Sequence, residues 1–192
     1  QGFYPFGSSN EEETSSFYVY PKAEISYKSS NGKLIPFLKY EGSYDLNSFT
    51  SFSLENPYVA PTLEMKSTEV NHNGDIGFNS HPGSGLTFKL NAHYSKTDNF
   101  PMYRRLPYDQ INDDLAYRMG NAYEVIYASV EKMGILTRFA MRFSEYNKIS
   151  IETAYYDFKR DGGGEVLNEP SLIINLNTNF KYYRIENCII FQ

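Results

Sequence analysis

The chain of 192 residues is long enough for one large domain or two small ones, and 18 Lys and Arg against 23 Asp and Glu give a net charge of -5. This acidic balance lacks the basic stripe that phosphate neutralisation requires, so we predict no nucleic-acid partner. A single cysteine, Cys188, excludes an intramolecular disulfide and a cysteine-built zinc cluster, and no segment has the continuous apolar length of a membrane helix.

Alternating apolar and polar residues recur from one end of the chain to the other, whereas helical periodicity is absent. In 86–95, for example, Leu86, Phe88 and Leu90 alternate with polar residues, which gives a strand with one apolar and one hydrophilic face. In chain order, the predicted strands are 19–28, 34–44, 66–79, 86–95, 121–144, 149–158 and 172–181.

The predicted connections alternate in length. Turn signals mark short connections at 29–32, 81–84, 145–148 and 184–187. Longer connections cover 45–63, about 97–120 and 161–170. Short and long connections therefore fall at opposite ends of the sheet, provided that 121–144 forms one long strand; the alternative is a separate hairpin at 131–134.

An antiparallel meander with short turns at one end and long loops at the other is typical of an outer-membrane barrel. We predict an all-β fold, an up-and-down antiparallel meander that forms part of a transmembrane β-barrel wall with about seven or eight strands. Phe88, Phe139 and Ile174 are then expected to face lipid, instead of packing beneath a second layer. Aromatic residues near strand ends are expected at the headgroup level; they are Phe17, Tyr18 and Tyr20, and Tyr155, Tyr156 and Phe158.

Four stretches, 17–27, 34–42, 55–63 and 165–177, resemble barrel segments of TonB-dependent outer-membrane receptors of the Bacteroidota type. The similarity lies in strand and loop patterns that cover most of the chain, and the last stretch resembles the passage near the end of such barrels. It implies that residues 1–192 are a single segment from the C-terminal part of a barrel, without the plug domain and the remaining strands.

The same resemblance implies a function in the outer membrane of a Gram-negative cell. The receptor would import a scarce nutrient ligand, such as a metal chelate, a cofactor or a glycan. Its expected partners are the lipid bilayer, a plug domain and the TonB complex through the full-length chain, and a surface lipoprotein.

No residue pattern indicates an enzyme, a bound metal or a cofactor. The histidines His72, His81 and His93 match no metal-ligand spacing, and Cys188 has no suggestive histidine near it. The glycines 162–164 lack the Lys-Ser/Thr of a phosphate loop, so we interpret them as a flexible loop tip. The acidic residues in 109–114 do not fit a calcium-loop pattern, and the run 11–13 is interpreted as solvated.

Charged residues on the hydrophilic faces of the predicted strands are expected to face an aqueous lumen. These lumen-facing residues are Lys22, Glu24, Lys39, Glu41, Arg138, Arg142 and Glu152. Ligand contacts are expected in the long loops, because loops on a rigid scaffold carry recognition. The predicted ligand-binding residues are Tyr58, Tyr103, Arg104, Arg105 and Tyr108.

Two other interpretations remain open at this point. One is a complete small outer-membrane barrel of about eight strands. The other is a soluble β-sandwich that binds glycans through exposed tyrosines, since sandwiches also alternate but turn their apolar faces inward.

Overall fold

The computed structural model describes residues 19–61, 63–107, 122–182 and 185–191, with backbone alone from residue 181 onward. The described chain forms eight strands and one short helix. They are β1 (Lys22–Ser26), β2 (Leu34–Asp45), α1 (Phe49–Glu55), β3 (Thr68–Gly83), β4 (Leu86–Arg105), β5 (Tyr123–Arg142), β6 (Lys148–Arg160), β7 (Leu172–Tyr182) and β8 (Ile185–Phe191).

All eight strands belong to one sheet, in which each strand pairs antiparallel with the next one along the chain. This confirms the predicted all-β meander. β1 and β8 are the two edges of the sheet, and a stacked second sheet is not found in the described parts of the chain. Every strand pair therefore comes from neighbouring sequence, an arrangement that keeps the strand contacts comparatively local.

The connections alternate in length as predicted. Short turns follow β1, β3, β5 and β7, at what we call the short-turn end. The connections 46–67, 106–122 and 161–171 lie at the other end, the long-connection end. β5 is an unbroken strand of 20 residues, so the alternative hairpin at 131–134 is wrong.

β4 is much longer than the alternation predicts. A bulge between Thr97 and Phe100, with Asn99 at φ 52°, inserts one extra residue into β4 relative to β5. The extra residue reverses the alternation of apolar and polar positions beyond Thr97. The alternation alone therefore does not show that the strand continues to Arg105. The predicted loop beginning at 97 is therefore wrong over 97–105.

Two turns also differ from prediction. The turn between β3 and β4 contains Ser84 and Gly85, and Gly85 has a φ of 82° that suits glycine. His81 lies instead on β3. At the end of the chain, β8 begins at Ile185, inside the predicted 184–187 turn.

The connection 46–67 contains the helix α1, which the sequence analysis did not predict. Seven residues are too few to display helical periodicity, and α1 is stabilised locally by a capping box between Ser48 and Ser51. Asn47 ties the ends of the connection together, since its side-chain amide donates to the Lys66 carbonyl at 2.7 Å and to Thr68 Oγ1 at 2.8 Å. Among the described residues, no helix has the length and apolar character needed to cross a bilayer.

Candidate functional site

The two faces of the sheet differ in chemistry. Residues paired directly across an antiparallel ladder share a face, so the strand register defines rows that cross the sheet. One row crosses seven strands and is apolar throughout: Ile25, Leu38, Ile76, Ala92, Ile135, Tyr155 and Leu172. We call this side the apolar face and the other side the hydrophilic face.

A band of uncovered apolar side chains occupies the apolar face. Along β5 it contains Met133, Ile135, Thr137, Phe139 and Met141. The side chains of Ile135 and Ile174 are 56% and 55% exposed, and no second layer covers them within the described residues. Thr137 hydrogen-bonds Thr153 across the strands, so these two hydroxyl groups satisfy each other.

The apolar band ends at a polar collar toward the long-connection end. On β4 and β5 this collar consists of Lys96, Asp98, Ser129 and Glu131. Lys96 Nζ lies 3.3 Å from Glu131 Oε1, and the Asp98 carboxylate accepts hydrogen bonds from Ser129 and Asn71. These hydrogen bonds, chiefly the one from Ser129, lower the pKa of Asp98 below its ordinary value.

Beyond the collar, the connection 46–67 covers the same face of the sheet. Phe52 and Val59 pack against Val125 in a buried cluster. Leu63, Tyr103 and Tyr127 surround this cluster. The connection is also fixed by main-chain hydrogen bonds, because Tyr123 N donates to Tyr58 O at 2.9 Å and Ala60 N donates to Tyr123 O at 2.8 Å.

The seven predicted lumen-facing residues all lie on the hydrophilic face. Three cross-strand ion pairs join six of them. They are Lys22 with Glu41 at 3.1 Å, Lys39 with Glu24 at 3.4 Å, and Arg138 with Glu152 at 3.0 Å. Arg142 lies on the same face, paired in register with Lys148. The structure thus brings these charges together on one side, opposite the apolar band.

A polar network that the sequence analysis missed lies in the middle of the hydrophilic face. Asp75 Oδ1 is 3.0 Å from His93 Nδ1 and 2.8 Å from Asn91 Nδ2. Asn91 is buried, yet its Oδ1 has no hydrogen-bond partner among the described residues. Asp75 and His93 are directly opposite in register on β3 and β4, so only the pairing of these strands reveals the network.

Tyr156 lies across the backbone of the hydrophilic face. A Cβ atom built on Gly134, its partner on β5, would come within 2.3 Å of the Tyr156 ring, so glycine makes room for the ring. Lys132 Nζ is 4.0 Å from the centre of that ring. The expectation that Tyr156 and Phe158 accompany Tyr155 at the headgroup level is therefore wrong, because strand alternation places both on the opposite face from Tyr155.

The predicted ligand-binding residues lie at the long-connection end but do not converge. Tyr58 is 64% exposed in the connection 46–67. Tyr103 OH donates to Glu55 Oε2 at 2.8 Å, and its ring packs edge-on against Phe52. Arg104 is on the opposite face from Tyr103 and contacts Glu124 Oε1 through Nη2 at 2.6 Å. Arg105 is exposed, and Tyr108 lies outside the described residues.

Burial, followed by the hydrogen bond to Glu55, raises the pKa of Tyr103. Its hydroxyl therefore acts as a neutral hydrogen-bond donor that holds the end of α1 against β4. This contact gives Tyr103 a structural task in addition to its predicted role in ligand binding.

The histidines, the acidic segments, Cys188 and the glycine run are the remaining features that the sequence singles out. No group of three or more His, Cys, Asp or Glu side chains among the described residues is arranged to hold a metal ion. His72 Nδ1 is hydrogen-bonded to Tyr40 OH at 2.8 Å. The acidic residues in 109–114 and 11–13 and the Cys188 side chain lie outside the described parts. Gly162, Gly163 and Gly164 all have positive φ in the connection after β6.

Comparison with solved structures identifies a similar fold. No family model matches the chain, and no curated protein sequence matches it. The copper transporter OprC superimposes on it with a TM-score of 0.54 and 12% sequence identity. The match covers 84% of this chain and 24% of that transporter, so the chain spans about a quarter of its length. The shared feature at this identity is the fold.

Proposed function

We propose that the chain is a wall segment of an outer-membrane transport barrel. The observation that carries this proposal is the uncovered apolar row across seven strands, opposite a face with paired charges. In water, such a row favours burial or aggregation, at about 25 cal/mol for each Å² of apolar surface removed from solvent. Contact with lipid tails removes this surface from water without a second protein layer.

The height of the apolar band suits a bilayer. From Met133 to Met141, nine residues of β5, the strand covers roughly 27 Å at about 3.4 Å per step. A tilted membrane strand requires about 9–11 residues. Tyr94 and Met133 are directly opposite at the upper margin of the band, immediately below the polar collar, where an amphipathic tyrosine suits the headgroup level.

We further propose that the barrel belongs to a TonB-dependent receptor that imports a scarce nutrient ligand. The resemblance of the four sequence stretches supports this class, and the fold of the copper transporter OprC is compatible with it. OprC takes copper as its cargo; for this chain the proposed cargo remains a metal chelate, a cofactor or a glycan. The plug domain, the TonB complex and a surface lipoprotein are proposed partners of the full-length protein.

Ligand capture is assigned to the long-connection end. Tyr58 and Arg105 are both exposed, and they are the side chains that we assign to contact with a solute there. Tyr103 and Arg104 also fix the local structure, because each is hydrogen-bonded to a glutamate. Unchanged ligand affinity after replacing Tyr58 and Arg105 with alanine in the intact receptor would remove this part of the proposal.

The medium that touches the apolar face is tested by two neighbouring substitutions. Ile174 lies in the middle row of the band, in register with Thr153, and Asn175 faces the other side. In the full-length protein folded into lipid vesicles, Ile174→Lys should lower the free energy of unfolding by about 2–4 kcal/mol, the cost of a midplane lysine. Asn175→Lys should change it by less than about 0.5 kcal/mol.

Urea unfolding in vesicles, followed by circular dichroism, measures both values. If Ile174→Lys is as well tolerated as Asn175→Lys, the apolar face touches water and the membrane assignment fails.

A further inference from the structure

Positive charge is concentrated at the short-turn end of the hydrophilic face. Lys89, Arg138, Arg142 and Lys148, together with His81, line a cavity of about 530 Å³. The other lining residues are small, amide or apolar, and no carboxylate is among them. This cavity lies away from the long-connection end, where ligand capture is proposed, and its volume is within the usual range of small-molecule sites.

The register pairs like charges in this cluster. Lys89 lies directly opposite Arg138, and Arg142 lies directly opposite Lys148. Like charges directly opposite each other destabilise a sheet. Elsewhere on the same face the sheet uses the reverse arrangement, with Lys22 opposite Glu41. The like-charge pairs at this cavity therefore differ from the opposite-charge pairs elsewhere on the hydrophilic face.

Little in the described chain compensates these cations. Glu152 contacts Arg138 at 3.0 Å, and Lys89 Nζ lies 5.3 Å from the centre of the Phe37 ring. Among the described residues no carboxylate is in ion-pair distance of Arg142 or Lys148. The cluster therefore retains net positive charge after its internal contacts are counted.

We propose that this cavity binds a small multivalent anion with two or more phosphate or carboxylate groups. Arg138 and Arg142 are four residues apart on β5, so their Cα atoms are separated by roughly 13 Å. With Glu152 already in contact with Arg138, the four cations still exceed the negative charge at the site, so a monovalent ion would compensate only part of the excess, whereas a molecule with two or more anionic groups reaches both like-charge pairs. Arginine supplies paired donors that match the oxygens of either group. The four cations that build the site all lie on the hydrophilic face, so the site does not depend on the medium that touches the apolar face.

The test is a calorimetric titration of the full-length protein in detergent with inorganic pyrophosphate and, in a second arm, with citrate. These two probes separate a preference for phosphate from one for carboxylate. At low ionic strength we expect saturable binding of at least one probe. The double variant Arg142→Gln/Lys148→Gln should weaken that binding about tenfold or more, which corresponds to loss of roughly one strong charged contact.

A matched control removes the same charge elsewhere. Lys66→Gln/Lys159→Gln lies away from the cavity and should change affinity less than about twofold if the site is specific. Equal weakening by both double variants would show general electrostatic attraction and overturn the proposal. So would a wild-type protein that binds neither probe.

Thermal unfolding without added anion separates an effect of the substitution on folding stability from an effect on anion binding. Because Arg142→Gln removes repulsion with Lys148, the variant should melt at or above the wild-type temperature, while pyrophosphate or citrate should stabilise it less than the wild type. A lower melting temperature for Arg142→Gln in anion-free buffer would overturn the proposal, since it would show that Arg142 already makes a favourable contact in the full-length protein.

Discussion

Apolar side chains on one face of β5 lie in two different environments. Val125 and Ile135 are on the same face of β5, ten residues apart, yet Val125 is 7% exposed and Ile135 is 56% exposed. Phe52 and Val59 from the connection 46–67 cover the first residue, whereas nothing in the described chain covers the second. Near the long-connection end, the protein therefore covers the apolar face of β5 with the connection 46–67. In the apolar band, the same face is uncovered within the described residues.

The polar collar explains where this change occurs. Ser129 and Glu131 follow the covered residues on β5, and the uncovered residues begin at Met133. Under the proposed function, the collar is the boundary at which water replaces lipid. Between the collar and the long-connection end, the connection 46–67 must then supply the apolar contacts. On the other side of the collar, lipid tails supply them.

Replacing one phenylalanine in each region gives the largest expected difference. Phe52→Ala opens a cavity in the covered cluster and should destabilise the packing of the connection 46–67 on β4 and β5 by about 3–5 kcal/mol. Phe139→Ala in the band should cost less, because lipid chains fill the space that the ring leaves. Hydrogen exchange in lipid vesicles measures both effects. For Phe52→Ala, faster exchange should be confined to the connection 46–67 and to the parts of β4 and β5 between the polar collar and the long-connection end. Similar losses for both variants would contradict the comparison.

Tyr103→Phe tests the polar contact at the edge of the covered cluster. Loss of the hydrogen bond to Glu55 should cost about 1 kcal/mol. The raised pKa of Tyr103 means that its contribution is present below the ordinary tyrosine pKa of about 10 and is lost as the pH rises through the folded value. Urea unfolding between neutral and alkaline pH should show a smaller alkaline loss for the variant; an unchanged alkaline slope would exclude this role.

Asp98→Asn tests the collar and should have the smallest effect. Because the pKa of Asp98 is lowered, its stabilising contribution is present above the ordinary aspartate pKa of about 4 and is lost as the pH falls through the folded value. The partly exposed site should lose about 0.5 kcal/mol at neutral pH and less in acid. Unfolding curves at the two pH values measure the difference, and a loss that grows toward acid would contradict it.

Particular residues show how far the sequence predicts this structure. Leu86, Phe88 and Leu90 share a face as their alternation predicts, and the seven predicted lumen-facing charges share the other face for the same reason. The strand from 97 to 105 was missed because the bulge at Asn99 breaks the alternation. The network of Asp75 and His93 has no local signal, since these residues meet only through the register of β3 with β4.

The sequence by itself predicted the antiparallel meander, the two-faced character of its strands and, provided that 121–144 forms one strand, the alternation of short and long connections. These features depend on period-two patterns and turn residues, which are local properties of the chain. Only the tertiary structure decided that α1 covers Val125, that Tyr156 lies over Gly134, and that like charges are directly opposite at the short-turn end. Each of these contacts joins residues from two different segments of the chain. Its free energy depends on both segments and on their register, so the local pattern of one segment does not predict it.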